Sequence, residues 1–168
     1  RKGLRDAGIA DDTLVWFNSD NGGLPGIQPE TVGGLRGFKG SVYEGGLRVP
    51  GIIEWPAGIP NPRVTKFPAS TMDIFPTIAE LTGLPASAQL QPADGMSLKP
   101  LFTKEIGPRL KPIPFRHIGN AAWVDNQYKL VSVKGKFALY DLEADPHETT
   151  DLSEQQPKIF QRLRSAFD

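Results

Sequence analysis

Thr13-Leu14-Val15-Trp16-Phe17 runs on through Asn18 into Ser19-Asp20-Asn21-Gly22-Gly23. The first five residues are a short apolar run with β-branched and aromatic side chains, a composition that favours a strand. An unbroken apolar run also fits a strand buried on both faces, as in a parallel sheet. The polar, glycine-rich residues then sit at the carboxyl end of that strand, where open α/β sheets gather ligands. The stretch therefore predicts an α/β layer with a site on the loop that leaves it.

Upstream, Arg1-Lys2-Gly3-Leu4-Arg5-Asp6-Ala7-Gly8 reads as the last turns of a helix closing on glycine, so the chain is expected to be a piece of a longer protein. Asp11-Asp12 precede the strand and fit turn or capping residues. Downstream, Asp20 to Gly46 holds nine glycines and two prolines, a loop too long to be a mere connection. Strand character returns at Arg48 to Pro56. Thr71 to Gly83 predicts a helix, with Asp73 as N-cap, Pro76 in the first turn and Gly83 as the stop. Residues 84–114 read as irregular, with a helical turn at Ser97 to Phe102. Ala121 to Val124, Tyr128 to Val133 and Phe137 to Tyr140 then form a meander, and Pro157 to Phe167 an amphipathic helix. Two domains are expected: 1–114, including the loop 20–46, and 115–168.

Composition narrows the function classes. The 168 residues carry 19 Lys+Arg against 19 Asp+Glu, a formal net charge of zero. With no basic block, nothing marks a nucleic-acid or anionic-membrane surface. No apolar run reaches spanning length. Cysteine is absent, which excludes disulfides, zinc thiolates and a cysteine nucleophile within this chain.

Two features carry chemistry. Asp20 beside Asn21 offers two hard oxygen ligands suited to Ca²⁺ or Mg²⁺, although most Asp-Asn-Gly strings are simple Asx turns. Lys39, between Phe38 and Gly40, puts a point charge on a permissive backbone and suits a sulfate or phosphate oxygen; the ordinary alternative is a solvated lysine. It lies outside a nucleotide-binding phosphate loop, because Gly40 and not Ser or Thr follows it. Arg36, Glu44 and Arg48 fit ion pairs that staple the loop as well as they fit ligands. His117, beside Arg116, could line a substrate pocket, and His147 reads as solvated. Trp123, Tyr128 and Tyr140 fit the core of the small sheet better than sugar-stacking platforms.

Taken in order, Ser19-Asp20-Asn21-Gly22, Leu35 to Pro50, Glu54-Trp55-Pro56, Asp73-Ile74-Phe75-Pro76-Thr77, Leu81 to Pro85, Asp94 to Leu98 and Leu139 to Pro146 resemble the type I, formylglycine-dependent sulfatases of the alkaline-phosphatase-like superfamily. The resemblance covers nearly the whole chain but only the C-terminal portion of such an enzyme. It implies the C-terminal part of an α/β sandwich, strands of the large sheet plus a helix, followed by a small antiparallel sheet with a C-terminal helix. It further implies that Asp20 and Asn21 are half of a Ca²⁺ site and that Lys39 contacts the substrate sulfate. The family's nucleophile is a formylglycine made in a Cys/Ser-x-Pro-x-Arg motif, whose hydrated aldehyde attacks sulfur. This chain has no such motif, nor the first aspartate pair or leaving-group histidine, so the N-terminal part of the enzyme is an implied partner. Alone the chain is expected to be inactive. The implied substrate is a sulfated small molecule or glycan, and the implied setting is periplasmic, extracellular or lysosomal. A phosphodiesterase or phosphonate hydrolase of the superfamily, or a fragment acting only in packing or partner binding, are the alternatives.

Overall fold

The run read as a strand becomes β1 (Val15–Asn18), paired antiparallel with β2 (Gly51–Glu54) from Val15 opposite Glu54 to Asn18 opposite Gly51. A computed structural model provides the coordinates and describes residues 1–89 and 91–167. Contacts gather the chain into two units, Arg1–Asn18 with Pro50–Pro108, and Ser19–Val49 with Arg109–Asp168.

In the first unit, β1 departs from the expected parallel, doubly buried strand. Among the described residues β2 is its strand partner, and the opposed Phe17 and Ile52 are 58% and 59% exposed. One antiparallel neighbour covers one edge and leaves much apolar surface open. A short helix, α1 (Lys2–Asp6), precedes the pair. The predicted central helix forms as a 3₁₀ turn over Thr71–Asp73 that continues into α3 (Ile74–Thr82). Gly83 ends it at φ 71°, a left-handed conformation that glycine adopts without a Cβ penalty. Asp73 differs from the expected cap: its side chain caps no N–H of α3, and it is the third residue of a capping box whose N-cap is Ser70. Its carboxylate accepts the Ser70 and Met96 N–H groups, both at 2.8 Å, and Thr77 Oγ1 accepts the Leu98 N–H at 2.8 Å. These fully buried groups dock the Asp94–Leu98 segment on the helix; the 3₁₀ turn Lys99–Phe102 follows it.

In the second unit, α2 (Glu44–Leu47) ends the glycine-rich loop, and four strands run as an antiparallel meander in the order β3 (Ile113–His117), β4 (Asn120–Asp125), β5 (Tyr128–Val133), β6 (Lys136–Asp141). Strand β3 begins in the stretch read as irregular and runs three residues beyond it. Pro114 masks it in sequence, yet a proline is tolerated there because β3 is an edge strand. Lys134 and Gly135, at φ 50° and 76°, make the two-residue turn from β5 to β6. The sheet is covered on both faces. Leu130 and Leu139 pack with Leu163 of α4 (Pro157–Phe167), and Trp123 and Phe137 join them. On the opposite face Ala122, Val131 and Tyr140 pack with Val42 from the loop. Among the described residues no helix is long and apolar enough to cross a membrane.

Candidate functional site

The glycines of the loop are placed where backbone meets backbone. The Gly22 N–H donates to the Gly46 carbonyl at 2.9 Å, the Lys39 N–H to the Gly23 carbonyl at 2.9 Å, and the Gly45 N–H to the Arg36 carbonyl at 2.7 Å. A Cβ on Gly22 would lie 1.8 Å from the Gly45 oxygen, and one on Gly45 would lie 2.0 Å from the Gly37 oxygen. Only glycine permits this approach. The result is a frame in which Lys39 is tied by its own N–H and Asn21 by that of the next residue, Gly22.

A buried ionic cluster fastens that frame to the sheet. Lys129 projects from the loop-covered face of β5 and is fully buried. Its Nζ meets Glu44 Oε1 at 2.8 Å and Glu148 Oε1 at 2.9 Å. Glu148 Oε2 accepts the Glu44 N–H at 2.6 Å, so one carboxylate holds both the lysine and the first turn of α2. Glu148 itself is held at φ 54°, a left-handed conformation uncommon outside glycine. Arg36 adds a second tie: its NH1 donates to the Glu148 carbonyl at 2.8 Å and to Tyr140 Oη at 3.0 Å, and its guanidinium stacks 3.9 Å from the centre of the Tyr43 ring. Burial pushes the Glu148 carboxyl above the usual carboxylate range, against the pull of Lys129 and the Glu44 N–H. Arg36 and Glu44 are thus staples, the reading their sequence context allowed. Lys129 and Glu148 gave no sequence signal, because a lysine inside an alternating strand and a glutamate in a turn look solvated until the fold buries them.

The predicted site residues fall in this unit as follows. Asn21, Lys39 and His117 line one cleft of about 370 Å³, together with Ser41, Phe115 and Arg116. Asp20 is exposed on the adjoining turn, where its Oδ1 accepts Asn21 Nδ2–H at 2.7 Å, and Ser19 Oγ donates to the Asn21 carbonyl at 2.9 Å. His117 abuts the Lys39 loop: a Cβ on Gly40 would lie 3.5 Å from its Nε2. His147 is exposed, and its Nδ1 lies 2.9 Å from the Gly34 carbonyl, so it also touches the loop.

The chemistry of Asp20 and Asn21 fits a hard divalent cation in kind. Rotating the Asn21 amide would turn its oxygen to the position from which Nδ2 now faces Asp20. In number they fall short, since Ca²⁺ takes about six to eight oxygens. Among the described residues no three His, Asp or Glu side chains stand together as a metal group. The pair fits as part of a site that other residues complete.

The comparisons agree with this architecture. The steryl-sulfatase of Mus musculus is 42% identical over 59% of this chain and 17% of its own length. A sulfatase of Formosa agariphila is 36% identical over 92% of this chain and 31% of its own. An N-acetylgalactosamine-6-O-sulfatase of Bacteroides thetaiotaomicron is 30% identical over 92% and 35%. Among solved structures, that of Ps i-CgsB in complex with k-i-k-neocarrahexaose superposes with a TM-score of 0.80 at 30% identity, covering 95% of this chain and 36% of that one. A structure titled for the metabolism of glycosaminoglycans by Bacteroides thetaiotaomicron gives 0.81 at 26%, covering 99% and 40%. The chain thus spans well under half the length of the proteins it matches. The family model described as Sulfatase matches residues 1–84, half of the chain, and with the relatives it shows that this chain belongs to the sulfatase family.

Proposed function

We propose that the protein carrying this chain hydrolyses sulfate esters, and that the chain supplies Asp20 and Asn21 to a divalent-cation site and Lys39 to the sulfate. The observation that supports this most is the framed loop, which brings Asn21 and Lys39 to one cleft on a backbone that its own hydrogen bonds hold in place. Ca²⁺ is the cation of this reading, because its flexible coordination accepts ligands from separate segments where Mg²⁺ demands a near-ideal octahedron.

Each side chain then has a task. The Lys39 ammonium neutralises charge on the sulfate oxygens as the ester S–O bond breaks, from a position set before the reaction starts. Asp20 and Asn21 hold the cation, and His117, against the Lys39 loop, orients the alcohol side of the ester by hydrogen bonding. When bound, the cation supplies Lewis-acid polarisation of the sulfate. The formylglycine nucleophile belongs to the N-terminal part of the enzyme, the partner this chain needs for turnover. The substrate is a sulfated small molecule or glycan.

The test is a substrate pair on the complete enzyme, 4-nitrophenyl sulfate against bis(4-nitrophenyl) phosphate, with and without a chelator. We expect kcat/KM to favour the sulfate by at least about tenfold, as differential binding of the reacting group requires. Activity should vanish with chelation and return with Ca²⁺, and residues 1–168 alone should turn over neither ester. A clear preference for the phosphate diester would overturn the reading.

A further inference from the structure

Asn21-Gly22 is the sequence's single Asn-Gly pair, and such a pair is chemically labile. The Gly22 nitrogen can lose its proton, attack Asn21 Cγ, expel the side-chain nitrogen as ammonia and close a succinimide ring. Water then opens the ring at either carbonyl. The product is aspartate or, where the main chain is rerouted through Cγ, isoaspartate. One water is consumed, one ammonia is released, and nothing is oxidised or reduced. Glycine favours the attack because no Cβ hinders its nitrogen. Any other residue at position 22 would slow it, but the frame forbids one: a Cβ there would lie 1.8 Å from the Gly45 oxygen. The packing of the loop thus imposes the labile pair.

The same packing restrains both nitrogens that the reaction uses. Gly22 is buried, and its N–H, whose proton must leave before the nitrogen attacks, donates to the Gly46 carbonyl at 2.9 Å. The leaving nitrogen, Asn21 Nδ2, donates to Asp20 Oδ1 at 2.7 Å, and Ser19 Oγ donates to the Asn21 carbonyl at 2.9 Å. Bringing Cγ onto the Gly22 nitrogen requires this frame to open. We infer that Asn21 is a latent deamidation site held shut by the Gly22–Gly46 hydrogen bond, and that local opening of the frame, not unfolding of the chain, sets its rate. The modification is irreversible, and isoaspartate lengthens the main chain by one atom between Asp20 and the frame. This lability needs no role for Asn21 in hydrolysis, so it stands apart from the sulfate-ester reading.

The experiment incubates the complete enzyme in mildly alkaline buffer, native and unfolded in guanidinium. A chelator is present, so that the Asn21 amide keeps the partner it has here. Peptide mapping by mass follows the exchange of amide for acid at Asn21, and isoaspartate is counted by enzymatic methylation. In the native wild type Asn21 should deamidate at least about tenfold more slowly than in the unfolded chain, the factor by which the closed frame outweighs the open one. Gly45→Ala places a methyl 2.0 Å from the Gly37 oxygen, so the main chain beside the Gly46 acceptor must shift. It should raise the native rate at least about threefold while the circular dichroism stays that of the folded protein. If Gly45→Ala does not fold, Glu148→Gln serves instead, since it weakens the hold on the Glu44 N–H at the start of α2. A native rate equal to that of the unfolded chain overturns the inference. So does a native rate that the folded variant leaves unchanged, because the protection would then come from elsewhere than the frame.

Discussion

Replacing Lys129 by Met is expected to destabilise the protein by about 3–5 kcal/mol, the usual penalty for stranding buried charge. Lys129 and Glu148 are fully buried and Glu44 is 7% exposed, so the variant leaves two carboxylates facing each other without their shared cation. The loss should depend on pH. Burial already raises the Glu148 carboxyl and Lys129 opposes that rise, so removing the lysine raises it further. A carboxyl whose folded-state pKa lies above its unfolded value contributes stability that is present below the unfolded value and lost as pH rises through the folded one. The deficit of Lys129→Met relative to wild type should therefore grow between about pH 5 and pH 8, as read by chemical denaturation at each pH. Adding Glu148→Gln should narrow it at the higher pH, because one of the two stranded charges is gone. A deficit under about 1 kcal/mol, or one equal at both pH values, would contradict the cluster described here.

Lys39→Ala is expected to lower kcat/KM for a sulfate ester by at least about tenfold in the complete enzyme, as loss of one preorganised charge contact should. The fall should appear mainly in kcat, because the charge that Lys39 meets develops as the ester bond breaks. The melting temperature should stay close to wild type. Lys39 is exposed, and its place in the frame is held by its backbone N–H, which alanine retains. An unchanged kcat/KM removes Lys39 from the site.

Much of this was legible because it is local. The helix stop at Gly83, the turn at Lys134-Gly135 and the amphipathic face of α4 each follow from a few neighbouring residues. The Asp20-Asn21 pair and Lys39 stood out for the same reason, as chemistry-bearing residues in a glycine-rich segment. Strand β3 was hidden by Pro114, which argues against a strand until the edge position is known. The burial expected for β1 needed partners that an apolar run implies but does not name. Least legible was the ionic cluster. Glu44 meets residues 85 and 104 positions further on, and nothing short of the folded register of β5 shows that Lys129 faces the loop.

The loop from Asp20 to Gly46 is proposed to give half of a divalent-cation site to a sulfate-ester hydrolase. Calorimetric titration of the complete, metal-stripped enzyme with Ca²⁺ tests it most directly, run beside Asp20→Ala and Asn21→Ala. Both variants should bind Ca²⁺ at least about tenfold more weakly than wild type, with Asp20→Ala weaker still, because affinity tracks the number of charged ligands. Wild-type Ca²⁺ affinity in both variants would contradict the claim.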